Sequence, residues 1–153
     1  MAESKLRHIG WVEYEELVTH CAAQLCTMDP PDAIVGISRG GLIPAVRISN
    51  VLGIPMETIN LSLRDGQISG SAELFEAQLK NLDKYPRIAV IDDICDSGKT
   101  LHILDIHLQE RGHTHIKWCT LLHKTTAMFT PSIIGETIGD LANNDWVVFP
   151  WED

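Results

Sequence analysis

Residues 11–26, WVEYEELVTHCAAQLC, repeat apolar side chains at Trp11, Tyr14, Leu17, Val18, Cys21, Ala22 and Leu25. That spacing follows the turn of an α-helix, and Glu13, Glu15 and Glu16 sit near its positive N-terminal end, so an amphipathic helix is predicted. Pro30 and Pro31 cannot continue it. The pattern then changes period. Residues 33–37, AIVGI, form a short continuous apolar run that reads as a buried strand. Ser38-Arg39-Gly40-Gly41 follows, and then a helix from about 42 to 52, with Pro44 in its first turn and Gly53 just past its end. A second strand is predicted over 55–63, where Met56, Thr58 and Asn60 alternate with Glu57, Ile59 and Leu61.

Residues 63–72, LRDGQISGSA, are polar and glycine-rich and predict a mobile loop. A helix follows from Ser71, its cap, to about 84, with Leu74, Phe75, Leu79 and Leu82 as its apolar face. Residues 87–92, RIAVID, predict a buried strand, and Lys99 to Arg111 a helix closed by Gly112. Further strands are expected over 115–122, 133–139 and 146–151. The last is placed at an edge, because Pro150 has no N–H to give a sheet. Strands alternating with helices in this way predict an α/β fold with a mainly parallel sheet and helices on both faces. Ligands of such sheets bind beyond the carboxyl ends of the strands, where segments 38–41 and 92–100 fall.

Composition narrows the function classes. At 153 residues the chain fits one domain, which buries about 68–70% of its unfolded surface. There is no repeat and no linker. A net charge of -9 argues against a nucleic-acid backbone as partner, since that contact rests on Lys and Arg releasing counterions. Cys21, Cys26, Cys95 and Cys119 form no C-x-x-C pair, which suits free thiols in a reducing compartment. With no apolar run of membrane-spanning length and no signal-peptide core in residues 1–11, a cytoplasmic location is expected.

The candidate chemistry lies in residues 87–101, RIAVIDDICDSGKTL. A P-loop would need glycine five positions before the Gly-Lys pair, and Asp93 stands there, so that assignment fails. What remains is a strand-to-helix turn, Asp96-Ser97-Gly98-Lys99-Thr100, whose N–H groups suit a phosphate monoester. Asp92 and Asp93 precede it. Carboxylates and phosphates share a site when sugar hydroxyls or a divalent cation lie between them, and a ribose phosphate with Mg2+ supplies both.

The stretch VIDDICDSGKT resembles the 5-phosphoribosyl-1-pyrophosphate (PRPP) binding motif of type I phosphoribosyltransferases, and the resemblance covers most of the chain. Ser38-Arg39-Gly40-Gly41 is similar to that family's pyrophosphate loop. The C-terminal NDWVVFPWED resembles the end of the small bacterial xanthine-guanine enzymes. The resemblance implies a single domain over 1–153, with a flexible lid over about 63–72 and a C-terminal base-binding hood over about 124–153. It implies a Mg2+-dependent purine-salvage transferase that joins a 6-oxopurine to PRPP and releases pyrophosphate.

By the same resemblance Asp92 and Asp93 contact the ribose hydroxyls, with Asp93 a metal ligand. Asp96 faces the purine N7 and exchanges a proton with it. Ser97, Gly98, Lys99 and Thr100 bind the 5'-phosphate, while Ser38, Arg39 and Gly40 hold the departing pyrophosphate. Lys124 donates to the 6-oxo group, Trp146 stacks on the base, and the Val147 backbone reads its edge. The family forms homodimers or homotetramers, so self-association is expected. The lid sequence departs from the family pattern, and Cys95 stands where an aliphatic residue is usual. Taken alone, Lys124 reads as a solvated lysine, Trp146 as core, and Cys95 as packing. Two other functions fit the same motif: transfer to a different base, and a non-catalytic regulator that senses ribose phosphate.

Overall fold

The computed structural model describes residues 5–27, 29–139 and 146–152. Parts of the quoted termini and of the hood segment, residues 1–4, 140–145 and 153, therefore lie outside the described residues.

Strand β1 (Leu6–His8) leads into α1 (Trp11–Thr27), β2 (Ala33–Ser38), α2 (Leu42–Leu52) and β3 (Met56–Asn60). Two short strands, β4 (Ser62–Arg64) and β5 (Gln67–Ser69), precede α3 (Ala72–Leu82). The chain continues with β6 (Arg87–Cys95), α4 (Lys99–Glu110), β7 (His115–Lys124), β8 (Ile133–Ile138) and β9 (Trp146–Val148). Five strands form one sheet in the order β3-β2-β6-β7-β8, and every neighbouring pair is parallel.

Unbroken apolar runs at 33–37 and 87–91 are what a sheet covered on both faces requires. Ile34 and Ala89 turn to a cluster with Tyr14, Leu17, Leu25 and Ile48 of α1 and α2. Val35 and Val90 turn the other way, to Phe75, Leu79, Leu104 and Leu108 of α3 and α4. From β2 the chain moves outward to β3, then returns past β2 to β6, β7 and β8. The switch point lies between β2 and β6, and the loops after these two strands meet there.

Five expectations need correction. The strand predicted over 87–92 runs to Cys95, so Asp92 and Asp93 lie within β6 rather than at its end. The strand predicted over 55–63 stops at Asn60, and the segment read as a loop is an antiparallel hairpin pairing Leu63 with Ile68 and Arg64 with Gln67. Its turn residues Asp65 and Gly66 have φ of 51° and 76°, as a tight two-residue hairpin turn demands. β7 extends through Lys124, which ends the strand instead of following it. The strand predicted over 146–151 stops at Val148 and leaves the main sheet to pair with β1, an element absent from the sequence reading.

Candidate active site

The loop after β2 comes close to β6 because it carries glycines. A Cβ on Gly40 would lie 2.5 Å from Asp93 Cγ and closer still to Oδ2. One on Gly41 would lie 2.7 Å from the Ile37 carbonyl oxygen and 3.0 Å from Asp92 Cα. Arg39 is exposed at the tip, and its side chain has no ion-pair partner among the described residues. The Ser38–Arg39 peptide is cis, and the Ser38 hydroxyl donates to Asn60 Oδ1 at 2.7 Å.

Within β6 the Asp93 N–H donates to Asp92 Oδ1 (2.9 Å) and the Ile94 N–H to Asp93 Oδ1 (2.7 Å). Burial drives the Asp92 carboxyl well above the usual carboxylate range, and the Asp93 charge adds to that rise. Asp93 is also raised by burial, with a smaller push from Glu152. Carboxylates crowded in this way lack a positive neighbour, and a bound cation would supply one. Oxygen donors suit Mg2+, which binds through one or two carboxylates plus waters and substrate phosphates. The residues fit the ion.

Two clefts flank the glycine loop. One of about 630 Å3 is lined by Arg39, Gly40, Ile43, Asp93, Trp151 and Glu152. The other, about 460 Å3, lies between Ser38, Arg39 and Asn60 and the hairpin end at Ser69, Gly70 and Ser71. A depression of about 680 Å3 on α1, lined by Trp11, Val12, Glu15, Glu16, Thr19 and His20, comes from one helix face and has none of these converging groups. Glu152 and Trp151 were missed in the sequence. Trp151 stacks on Phe149 with centroids 4.9 Å apart and meets Tyr14 edge-on, which holds the C-terminal turn against the cleft. Only the acidic ending after PW hinted at it.

The N-cap of α4 is Gly98, and within the turn the Ser97 hydroxyl accepts from the Lys99 N–H at 3.3 Å. Gly98 has φ 83°, and a Cβ there would lie 2.7 Å from the Phe129 backbone nitrogen. The Met128 N–H donates to the Ser97 carbonyl at 2.9 Å, while Cys95 Sγ and His123 Nε2 both lie in hydrogen-bond reach of the Phe129 carbonyl, at 3.3 and 3.2 Å. The segment after β7 thus braces the turn. Burial, aided by the charges of Asp92 and Asp96, pushes the Cys95 thiol up to about 11, so it is protonated at neutral pH and acts as packing. Lys99 and Thr100 occupy the first turn of α4.

Lys124 Nζ is 2.7 Å from Asp96 Oδ1, with the lysine side chain 17% exposed and the aspartate 55%. These two residues, far apart in sequence, are brought into contact because β6 and β7 are adjacent. Trp146 and Val147 lie on the β1–β9 ribbon: Trp146 is exposed, and Val147 is buried opposite Arg7.

At its switch point the parallel sheet brings together a glycine loop, a half-buried carboxylate pair and the N-terminal turn of α4, the arrangement of an α/β enzyme. The phosphoribosyl transferase domain family matches residues 10–152, and the chain belongs to it: it is a phosphoribosyltransferase. It is 28% identical over 151 residues to a xanthine-guanine phosphoribosyltransferase of Cereibacter sphaeroides, covering 95% of this chain and 86% of that one. A xanthine-guanine phosphoribosyltransferase of Idiomarina loihiensis is 24% identical over 145 residues, covering 94% and 85%. Among solved structures, a purine phosphoribosyltransferase from Pyrococcus horikoshii Ot3 superposes with a TM-score of 0.76 at 29% identity, covering 97% of this chain and 95% of that one. No helix among the described residues is long and apolar enough to cross a membrane.

Proposed function

We propose that this enzyme transfers the phosphoribosyl group of PRPP to a ring nitrogen of a 6-oxopurine, guanine, xanthine or hypoxanthine, and releases pyrophosphate. The observation that carries this reading is the Lys124–Asp96 contact beside the phosphate turn. An ammonium and a carboxylate side by side match the carbonyl oxygen and protonated N7 that adjoin on the edge of an oxopurine. Adenine presents an amino donor where Lys124 needs an acceptor, and a site built for one polar group rejects its opposite strongly. The names of the relatives from Cereibacter sphaeroides and Idiomarina loihiensis point the same way.

In the reaction the anomeric carbon loses its bond to pyrophosphate and gains one to the purine nitrogen, with the purine proton passing to Asp96. Ser97, Gly98, Lys99 and Thr100 hold the 5'-phosphate at the start of α4. Asp92 and Asp93 accept from the ribose hydroxyls, and Ser38, Arg39 and Gly40 hold the leaving pyrophosphate. Trp146 stacks on the base and the Val147 backbone reads its edge. Mg2+, held by Asp93, would neutralise charge on the leaving group. The hairpin 62–69 closes over the cleft and keeps water out. We place the enzyme in the cytoplasm as a homodimer or homotetramer of a single domain over 1–153, with a hood from about 124; its four free thiols suit a reducing compartment.

The test is pyrophosphate release from PRPP and Mg2+ with guanine, xanthine, hypoxanthine, adenine and uracil offered singly. Release with oxopurines and not with adenine or uracil is expected. Release with adenine or uracil alone would overturn the assignment of Lys124 and make this a transferase for another base. Silence with all five, with PRPP still bound, would favour a ribose-phosphate sensor.

A further inference from the structure

The strand that carries Trp146 and Val147 stands outside the five-stranded sheet. β9 has three residues and pairs in parallel with the three of β1, Leu6 with Trp146, Arg7 with Val147 and His8 with Val148. A two-stranded ribbon is marginal on its own, so its position relative to Lys124 depends on what ties it down. Leu6 and Trp146 face outward, 56% and 60% exposed, whereas Arg7 shares the inward face with buried Val147. An apolar residue is the default choice for such a position, and an arginine there needs a reason.

The Arg7 guanidinium supplies one. Its two terminal nitrogens donate to Glu136 Oε1 and Oε2 at 3.1 and 2.8 Å, and one of them also donates to Glu13 Oε1 at 2.7 Å. Glu13 belongs to α1 and Glu136 to β8, so one side chain joins the ribbon to a helix and to the edge of the main sheet. Glu136 pairs with Leu122, and Ile138 two residues on pairs with Lys124. The fork therefore connects the strand bearing the proposed stacking tryptophan to the strand beside Lys124. A planar two-point fork fixes orientation as well as distance, which a lysine cannot do. Partly exposed ion pairs add little to global stability, so geometry is the more natural role for this one.

We propose that Arg7 is a positioning residue that sets the gap between the β1–β9 ribbon and the Lys124 end of β7, and thereby tunes affinity for the base without touching it. This rests on the base site described under the proposed function. The ribbon can be followed without turnover through two amides, Trp146 N–H to the Lys5 carbonyl (3.1 Å) and Ile9 N–H to the Val148 carbonyl (2.9 Å).

The experiment compares the ligand-free wild type with Arg7→Met, Arg7→Lys and Glu136→Gln by hydrogen exchange, and then measures KM for base and for PRPP in each. Faster exchange at the two ribbon amides with β6 amides unchanged is expected in Arg7→Met and Glu136→Gln. kcat/KM for the base should fall by about 10- to 100-fold, the scale of a misplaced positioning group, while KM for PRPP stays within about twofold. Combining Arg7→Met with Glu136→Gln should add little, because both break one fork. Arg7→Lys should recover only part of the loss. Unchanged exchange, or a parallel rise in both KM values together with faster exchange in β6, overturns the proposal. A wild type silent with every base would sink the functional reading instead, and the exchange result would still decide whether Arg7 fixes the ribbon.

Discussion

Gly40→Ala should separate catalysis from folding at this site. Gly40 is not among the residues with positive φ, so its backbone accepts alanine and the obstacle is steric alone. The new methyl would overlap the Asp93 carboxylate, lying 2.5 Å from Cγ and 3.0 Å from Oδ1. The carboxylate must swing away and surrender the hydrogen bond it accepts from the Ile94 N–H at 2.7 Å. Overpacking of this kind and the lost bond together cost about 1–3 kcal/mol. At about 2–4 °C per kcal/mol for a chain of this length, the melting temperature should fall by roughly 2–12 °C. Turnover should fall much further, by about 10²–10³, the effect of removing one preorganised charged group. Gly41→Ala is the contrast: its methyl meets the Ile37 carbonyl and Asp92 Cα, backbone that cannot rotate aside, so about 3–5 kcal/mol is expected. Thermal melts and pyrophosphate release, repeated in an Asp93→Ala background, complete the cycle. There the stability cost of Gly40→Ala should shrink to below about 0.5 kcal/mol, with activity still absent. Gly40→Ala with wild-type turnover, or an undiminished cost in the Asp93→Ala background, would refute the argument.

Lys124→Ala should raise KM for oxopurines by about 10- to 100-fold, the worth of one charge-assisted hydrogen bond, and leave KM for PRPP near its original value; equal changes in both would show that Lys124 does not read the base. The raised Asp92 and Asp93 carboxyls hold protons to higher pH in the fold than in the unfolded chain. The ligand-free protein should therefore lose stability as pH rises from the ordinary carboxylate range through these raised values. Binding of Mg2+ with pyrophosphate should expel those protons, seen by calorimetry at one pH in two buffers of different ionisation enthalpy. The release should vanish in Asp92→Asn with Asp93→Asn, and a release unchanged by that double substitution would remove the carboxylate pair from the account.

What the sequence revealed follows the range of the interactions involved. The α1 stripe, the Ser71 cap and the helix after Gly98 depend on neighbours a turn away, and each was legible; the Ser71 hydroxyl does accept from the Leu74 N–H. The hairpin at 62–69 was also local, and Asp65-Gly66 between Leu63 and Ile68 was its signal. Glycine and polar composition outweighed that signal. β1 was beyond reach, because Leu6–His8 is a strand only through β9, some 140 residues along the chain in register. The turn 96–100 and the carboxylates before it are contiguous in sequence and so were visible together. Glu152 is placed near Asp93 by a local turn, in which its carboxylate accepts from the Phe149 N–H at 2.8 Å, and by aromatic packing of Trp151 on Phe149 and Tyr14; the packing is a contact no spacing rule encodes.

The two halves of the site stand in opposite electrostatic states before any ligand arrives. One half is already neutralised, since Lys124 and Asp96 compensate each other at 2.7 Å. In the other half Asp93 and Glu152 line one cleft with Arg39, which is exposed and forms an ion pair with neither. A chain of net charge -9 adds no general attraction for an anionic substrate. Recruitment of PRPP, the substrate proposed above, would then rest on local groups: the N–H groups at the start of α4, the Arg39 tip, and a cation that the carboxylates favour. In that proposal the acidic residues beside the turn make the cation welcome, and without it their charge would oppose an anionic substrate.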